Sequence, residues 1–168
     1  MMRTLTFAAL AAMALGTTAK AQDDGAFVTF QVLKPELALK MAEVAMTTCR
    51  DAGYQVGVSV VDRFGLPQVF LRDRYAGAHV YETATRKAWT AVSFRTDTLE
   101  LDLTTRADGI SGGIRQISQA LPLGGGVVVL SGEGAIVAGI GVSGAPGPDL
   151  DDDCAKAGIA AIEDEIAF

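Results

Sequence analysis

The chain has 168 residues, with 20 acidic against 14 basic side chains, a formal net charge of -6, two Cys and one His. One imidazole and two thiols exclude a His-rich zinc centre, an HExxH protease motif, a bis-histidine haem within one chain and any Cys₄ zinc or iron–sulfur site. The acidic balance, with no basic run to neutralise phosphates, argues against a nucleic-acid surface.

The first 21 residues read as a secretory signal. Met1, Met2 and Arg3 form a short positive start, Leu5 to Leu15 is apolar, and Ala19-Lys20-Ala21 fits the small-x-small pattern of a cleavage site. The apolar run is short of the roughly 20 residues that span a bilayer, so no stable membrane insertion is expected after cleavage. Residues 22–168 then form a single acidic domain of 147 residues with 12 basic and 20 acidic groups, a net charge of -8, in the periplasm or outside the cell. An oxidising compartment would permit a bridge between Cys49 and Cys154 across a loop of about a hundred residues. Alternatively both are small buried apolar residues.

Lys34-Pro35-Glu36 opens a helix, since Pro suits the first turn and an acidic residue there suits the dipole. Glu36 to Ala52 carries Leu39, Ala42, Met46 and Cys49 at helical spacing, and Gly53 stops it. Val56, Val58 and Val60 alternate with Gly57, Ser59 and Val61, a strand with one strongly apolar face. Asp62-Arg63-Phe64-Gly65 is a turn, and Leu66 to Arg72 returns antiparallel with Pro67 at its start. His79 to Phe94 is helical, with Val80, Ala84, Ala88, Ala91 and Val92 for packing and Trp89 as an anchor. Residues 95–120 are less regular: a loop is expected from Thr104 to Gly113, and Ile110, Ile114 and Ile117 suggest a short helix. Nine of the 19 Gly fall between Gly124 and Gly147, interrupting the β-branched runs Val127 to Leu130 and Ala135 to Val142. Gly132-Glu133-Gly134 turns between those runs. After a Ser143 to Pro148 loop, Asp149 is expected to cap a last helix. Asp151, Asp152 and Asp153 lie in its first turn, and Cys154, Ile159, Ile162 and Ile166 face the sheet. The order α-β-β-α-α-β-β-α, with strands joined as hairpins, predicts an α+β domain: an antiparallel sheet flanked by helices.

Several constellations invite a functional reading. Gly124-Gly125-Gly126 lacks a following Gly-Lys-Ser/Thr and leads into a strand, which argues against a phosphate loop. Asp149, Asp151 and Asp153 match the first calcium-loop ligands, but Cys154 replaces the required Gly and Ala160 the bidentate Glu. Ser111 and Ser143 lack a G-x-S-x-G elbow, so serine–histidine hydrolysis through His79 is not supported. His79 itself is open to two readings. It is a solvated helix-start residue, or it is an axial haem ligand, because a neutral imidazole binds iron and one His suffices for five-coordinate haem. Tyr75 and Tyr81 are its aromatic neighbours. Arg72, Arg74, Arg86 and Lys87 are either propionate partners or a solvated face.

The hairpin Val58-Ser59-Val60-Val61-Asp62-Arg63-Phe64-Gly65, the helix piece Ala84-Thr85-Arg86-Lys87-Ala88-Trp89-Thr90-Ala91 and the segment Gly139-Ile140-Gly141-Val142-Ser143-Gly144-Ala145-Pro146-Gly147 resemble the GlcG/HbpS family. Asp151 to Ile162, with Cys154-Ala155-Lys156-Ala157-Gly158-Ile159, resembles the family's last helix, so the likeness runs in order from about residue 36 to 166. It departs at Pro122-Leu123-Gly124-Gly125-Gly126, where the family usually has a Gly-Gly-x-Pro-like pattern. The resemblance implies a GlcG-like α+β domain, assembly into homo-oligomers, and haem or another tetrapyrrole as cofactor. With the residue-level reading it leads to an exported haem-binding protein that sequesters, senses or delivers haem. His79 would hold the iron, with Tyr75, Arg74, Arg86 and Lys87 beside it. The competing expectation is a small-molecule accessory factor or enzyme that uses a glycine-lined pocket without haem.

Overall fold

The alternation of valines in the first hairpin places it at the centre of the protein. In a computed structural model that describes residues 25–168, β1 (Gly57–Asp62) pairs on one side with β2 (Pro67–Arg72) and on the other with β4 (Ile136–Ser143). β3 (Gly126–Leu130) completes an all-antiparallel sheet of order β2-β1-β4-β3. The expected signal sequence, residues 1–21, lies outside the described residues. No helix among them is long and apolar enough to cross a membrane.

Strand side chains alternate between two helical layers. Val58 and Val60 of β1 and Ile140 and Val142 of β4 face helices α1 (Pro35–Asp51) and α4 (Pro148–Ala160). There they join Met41, Ala42, Ala45 and Ala155 in the main core. Each fully buried Val or Ile of this kind contributes about 1.5–3 kcal/mol. The opposite face receives α2 (Val80–Phe94), whose Ala88 and Val92 pack on Val61. Two glycines of β4 make that packing close: a Cβ on Gly141 would collide with the Ala84 carbonyl, and one on Gly139 would lie 3.0 Å from the Ala88 carbonyl. Helix backbone therefore fills the space above the β4 glycines.

The first turn follows its sequence chemistry. Asp62 Oδ1 accepts the amides of Phe64 (2.8 Å) and Leu66 (2.9 Å), and Gly65 supplies a φ of +85° beside Trp89. Cys49 and Cys154 are bridged, with Cα atoms 5.6 Å apart, so the disulfide fastens the end of α1 to α4.

Three expectations shift. The last helix starts at Pro148 with Gly147 at the N-cap, not at Asp149, because Pro is preset for the first helical position. Asp151 and Asp152, expected at the helix start for its dipole, are also buried, and Ile162 lies past the helix end although it is fully buried. The irregular region holds a helix α3 (Thr98–Thr104), and the isoleucines give a 3-10 turn at Gly112–Gln116 with Ile110 fully exposed. α3 covers the open edge of β3: Asp97 Oδ1 accepts the Val128 amide at 2.9 Å, and Thr98 Oγ1 accepts the Gly126 amide at 2.8 Å.

Candidate functional site

Three loops meet where the β1 and β4 ends face the start of α2. The turn after α1 brings Gly53, Tyr54 and Gln55. The β2–α2 connection brings Tyr75, Gly77 and His79. The segment from Ser143 to Pro148 leads into α4. With Thr83, Lys87, Leu123 and Asp151 they enclose a cleft of about 550 Å³. A wider groove of about 800 Å³ lies between residues 31–37 and the C-terminal residues, but it contains no imidazole, phenol or thiol. The chemistry-bearing side chains gather in the His79 cleft.

Its floor is an ion pair. Lys87 Nζ donates to Asp151 Oδ2 at 2.8 Å and to the Val142 carbonyl at 2.9 Å, and both side chains are at most 5% exposed. Burial pushes the Lys87 ammonium below its ordinary pKa and the Asp151 carboxyl above its own, while their mutual attraction works against both shifts. Asp151 Oδ1 also accepts the Ala145 amide at 2.9 Å. The pair therefore latches the Ser143–Gly147 segment to α2. Gly125, at φ +105°, makes room: a Cβ there would lie 3.1 Å from Lys87 Nζ.

The rim is looser. His79 is exposed and occupies the N-cap position of α2, and its carbonyl accepts the Thr83 amide at 3.0 Å. Thr83 Oγ1 lies 2.7 Å from Ser143 Oγ, a hydroxyl pair that ties α2 to β4. Tyr75 is 80% exposed. Gln55 Oε1 is buried without a hydrogen-bond partner among the described residues, an acceptor open to a donor from water or a ligand.

A second ion pair holds the His79 connection from below. Arg50 Nε donates to Asp73 Oδ2 at 2.8 Å, and the Arg74 amide donates to Asp73 Oδ1 at 2.8 Å. The Arg50 hydrogen bond, chiefly, holds the Asp73 carboxyl below the usual carboxylate range. A lowered folded-state pKa adds stability that is fully present above the unfolded value and is lost as pH falls through the folded value. Thermal melts should accordingly fall as pH drops below about 4, and Asp73→Asn should flatten that acid limb while lowering the melting temperature at pH 7. Parallel acid limbs in the two proteins would contradict this role.

Of the residues singled out in the sequence, His79, Tyr75 and Lys87 line the cleft together. Arg74 adjoins Tyr75 with a 70% exposed side chain. Arg86 lies off the cleft and is engaged by Glu82 at 3.0 Å and by the Gln119 and Ala120 carbonyls. Thr83 and Gln55 were not singled out in the sequence. Ser143 and Asp151 were weighed there only as a nucleophile and a calcium ligand, and the cleft brings them together in other roles.

The match that decides the family covers residues 33–160, where the chain fits the model of the HbpS-like family, described as haem degrading protein HbpS-like. The chain belongs to the HbpS-like family. A crystal structure of a double mutant of Streptomyces reticuli HbpS is 39% identical, spans 88% of this chain and 98% of its own, and superposes with a TM-score of 0.77. A further HbpS crystal structure is 41% identical over 84% of this chain and 98% of its own, also with a TM-score of 0.77. A crystal structure of a PduOC:heme complex is 29% identical, covers 78% and 95% of the two chains, and has a TM-score of 0.71. No curated protein matches the chain. These HbpS-like relatives share the α+β architecture read from the sequence.

Proposed function

We propose that the protein is exported and binds haem in the His79 cleft, in sequestration, sensing or delivery rather than turnover, and that it acts as a homo-oligomer. The observation that carries this reading is the chain's one imidazole, exposed at the rim of a cleft of about 550 Å³ in a member of the HbpS-like family. A PduOC relative solved as a heme complex supports it.

The donor set fits the group. An unhindered imidazole is a standard iron ligand. Tyr54, Leu123, Ala145, Pro146 and Pro148 offer flat or apolar surface to a macrocycle. Arg74, with a 70% exposed side chain and its Nε 3.9 Å from Asp73 Oδ1, is more open to a propionate than Lys87 and Arg86, whose internal partners are closer. Bound haem would supply a redox-active iron. The protein's residues would orient it, shield one face and hold its carboxylates.

Titration of the purified protein with haemin should give a saturable Soret shift at about one haem per chain. A spectrum identical to free haemin, together with a small organic molecule retained in native mass spectra, would instead favour the haem-free accessory reading.

A further inference from the structure

His79 is exposed and at a helix start, a place where an imidazole ordinarily samples several rotamers. Its ring nevertheless lies against Gly77. A Cβ built on Gly77 would lie 2.6 Å from His79 Cε1 and 2.7 Å from Nδ1, closer than real Cβ atoms come to a neighbour, so the ring edge rests on the bare Gly77 backbone. Gly77 is not among the residues with positive φ, so no left-handed turn conformation demands a glycine here. The atoms that its missing Cβ would meet are those of the His79 ring. The main chain on either side is fixed: the Val80 amide donates to the Gly77 carbonyl at 3.2 Å, and the Thr83 amide and hydroxyl both reach the His79 carbonyl, at 3.0 and 3.1 Å. Backbone hydrogen bonds hold the Cα of His79, and the bare Gly77 backbone leaves room for its ring in this position.

We infer that Gly77 is a positioning residue for the cleft: its lack of a side chain seats the His79 imidazole at the rim, in the orientation from which it meets a ligand. This rests on the proposed haem site but makes a claim of its own about the ligand-free protein. A seated ring loses little freedom on binding, whereas a ring expelled from its seat must find its orientation anew each time.

Gly77→Ala separates the two claims, because its position is exposed and its backbone tolerates Ala, so the melting temperature should hold within about 2 °C. The protein contains a single His, so its ring nitrogens and carbons give one set of NMR signals. In the wild type, a nuclear Overhauser contact should join the Gly77 α-protons to an imidazole proton. In Gly77→Ala the ring signals should move, and the haemin dissociation constant should rise about tenfold or more, a change equal to 1.4 kcal/mol per decade. Absence of the Overhauser contact, or ring signals unchanged by Ala, would overturn the seat whatever haemin does. A moved ring with unchanged haemin affinity, in a protein whose affinity falls in His79→Ala, would overturn its role in binding. If His79→Ala binds haemin as the wild type does, the proposed site fails while the seat is still judged by the NMR signals alone.

Discussion

Lys87→Met should lower the unfolding free energy by about 3–5 kcal/mol, roughly 10 °C in melting temperature for a domain of this size, because it strands a buried carboxylate. Asp151 is 4% exposed and keeps only backbone amide donors once the ammonium is gone. The loss should carry a pH signature. A carboxyl whose folded pKa is raised contributes stability below its unfolded value and loses it as pH rises, so Lys87→Met should sit closer to the wild type near pH 4 than near pH 8. Asp151→Leu should behave in the opposite sense. It leaves a buried ammonium whose folded pKa is depressed, so the deficit should shrink as pH rises toward the ordinary lysine range. Urea unfolding of both variants across that pH range checks the sign. The double variant Lys87→Met/Asp151→Leu should recover part of the loss, since apolar replacement of a whole buried pair is often near neutral. Single variants within 1 kcal/mol of the wild type at every pH would mean that the latch is not holding Ser143–Gly147.

Cys49→Ala/Cys154→Ala should cost about 2–5 kcal/mol, the range expected when a bridge of 105-residue separation no longer restricts the unfolded chain. The same bridge joins the two walls of the cleft. Cys49 lies in the last turn of α1, just before Gly53, Tyr54 and Gln55, and its carbonyl accepts the Tyr54 amide at 2.8 Å. Cys154 lies one turn along α4 from Asp151. The double variant should therefore lose cleft affinity as well as stability, while spectroscopic strand and helix content stays native below its lowered melting temperature. Chemical denaturation with and without a dithiol reductant gives the stability term. Equal midpoints for oxidised and reduced wild type would contradict it.

Much of this architecture was legible in the residues. Alternating valines at 56–61, Pro67 at a strand start and the β-branched runs around Gly132-Glu133-Gly134 each report a local constraint, and each produced the expected strand or turn. The pairing of β1 with β4 was not legible, because register between distant strands is set by tertiary packing and not by local pattern. The same holds for the site. His79 stood out as the lone imidazole, and Lys87, expected as a ligand-facing cation, lines the same cleft but is paired internally. Its partner Asp151 lies 64 positions away, and its surroundings read locally as a helix start. Burial turned both residues into a latch. Gly77 was one of 19 glycines in the sequence, and only the position of the His79 ring distinguishes it from an ordinary turn residue.

The most direct test of the haem-site proposal is the Soret spectrum of haemin-loaded His79→Ala, before and after addition of free imidazole. The variant should bind haemin more weakly with a displaced Soret band. Millimolar imidazole, entering the space the side chain vacates at the cleft rim, should restore the wild-type band. A His79→Ala spectrum identical to the wild type's would contradict the proposal, because the chain has no other imidazole to offer an iron.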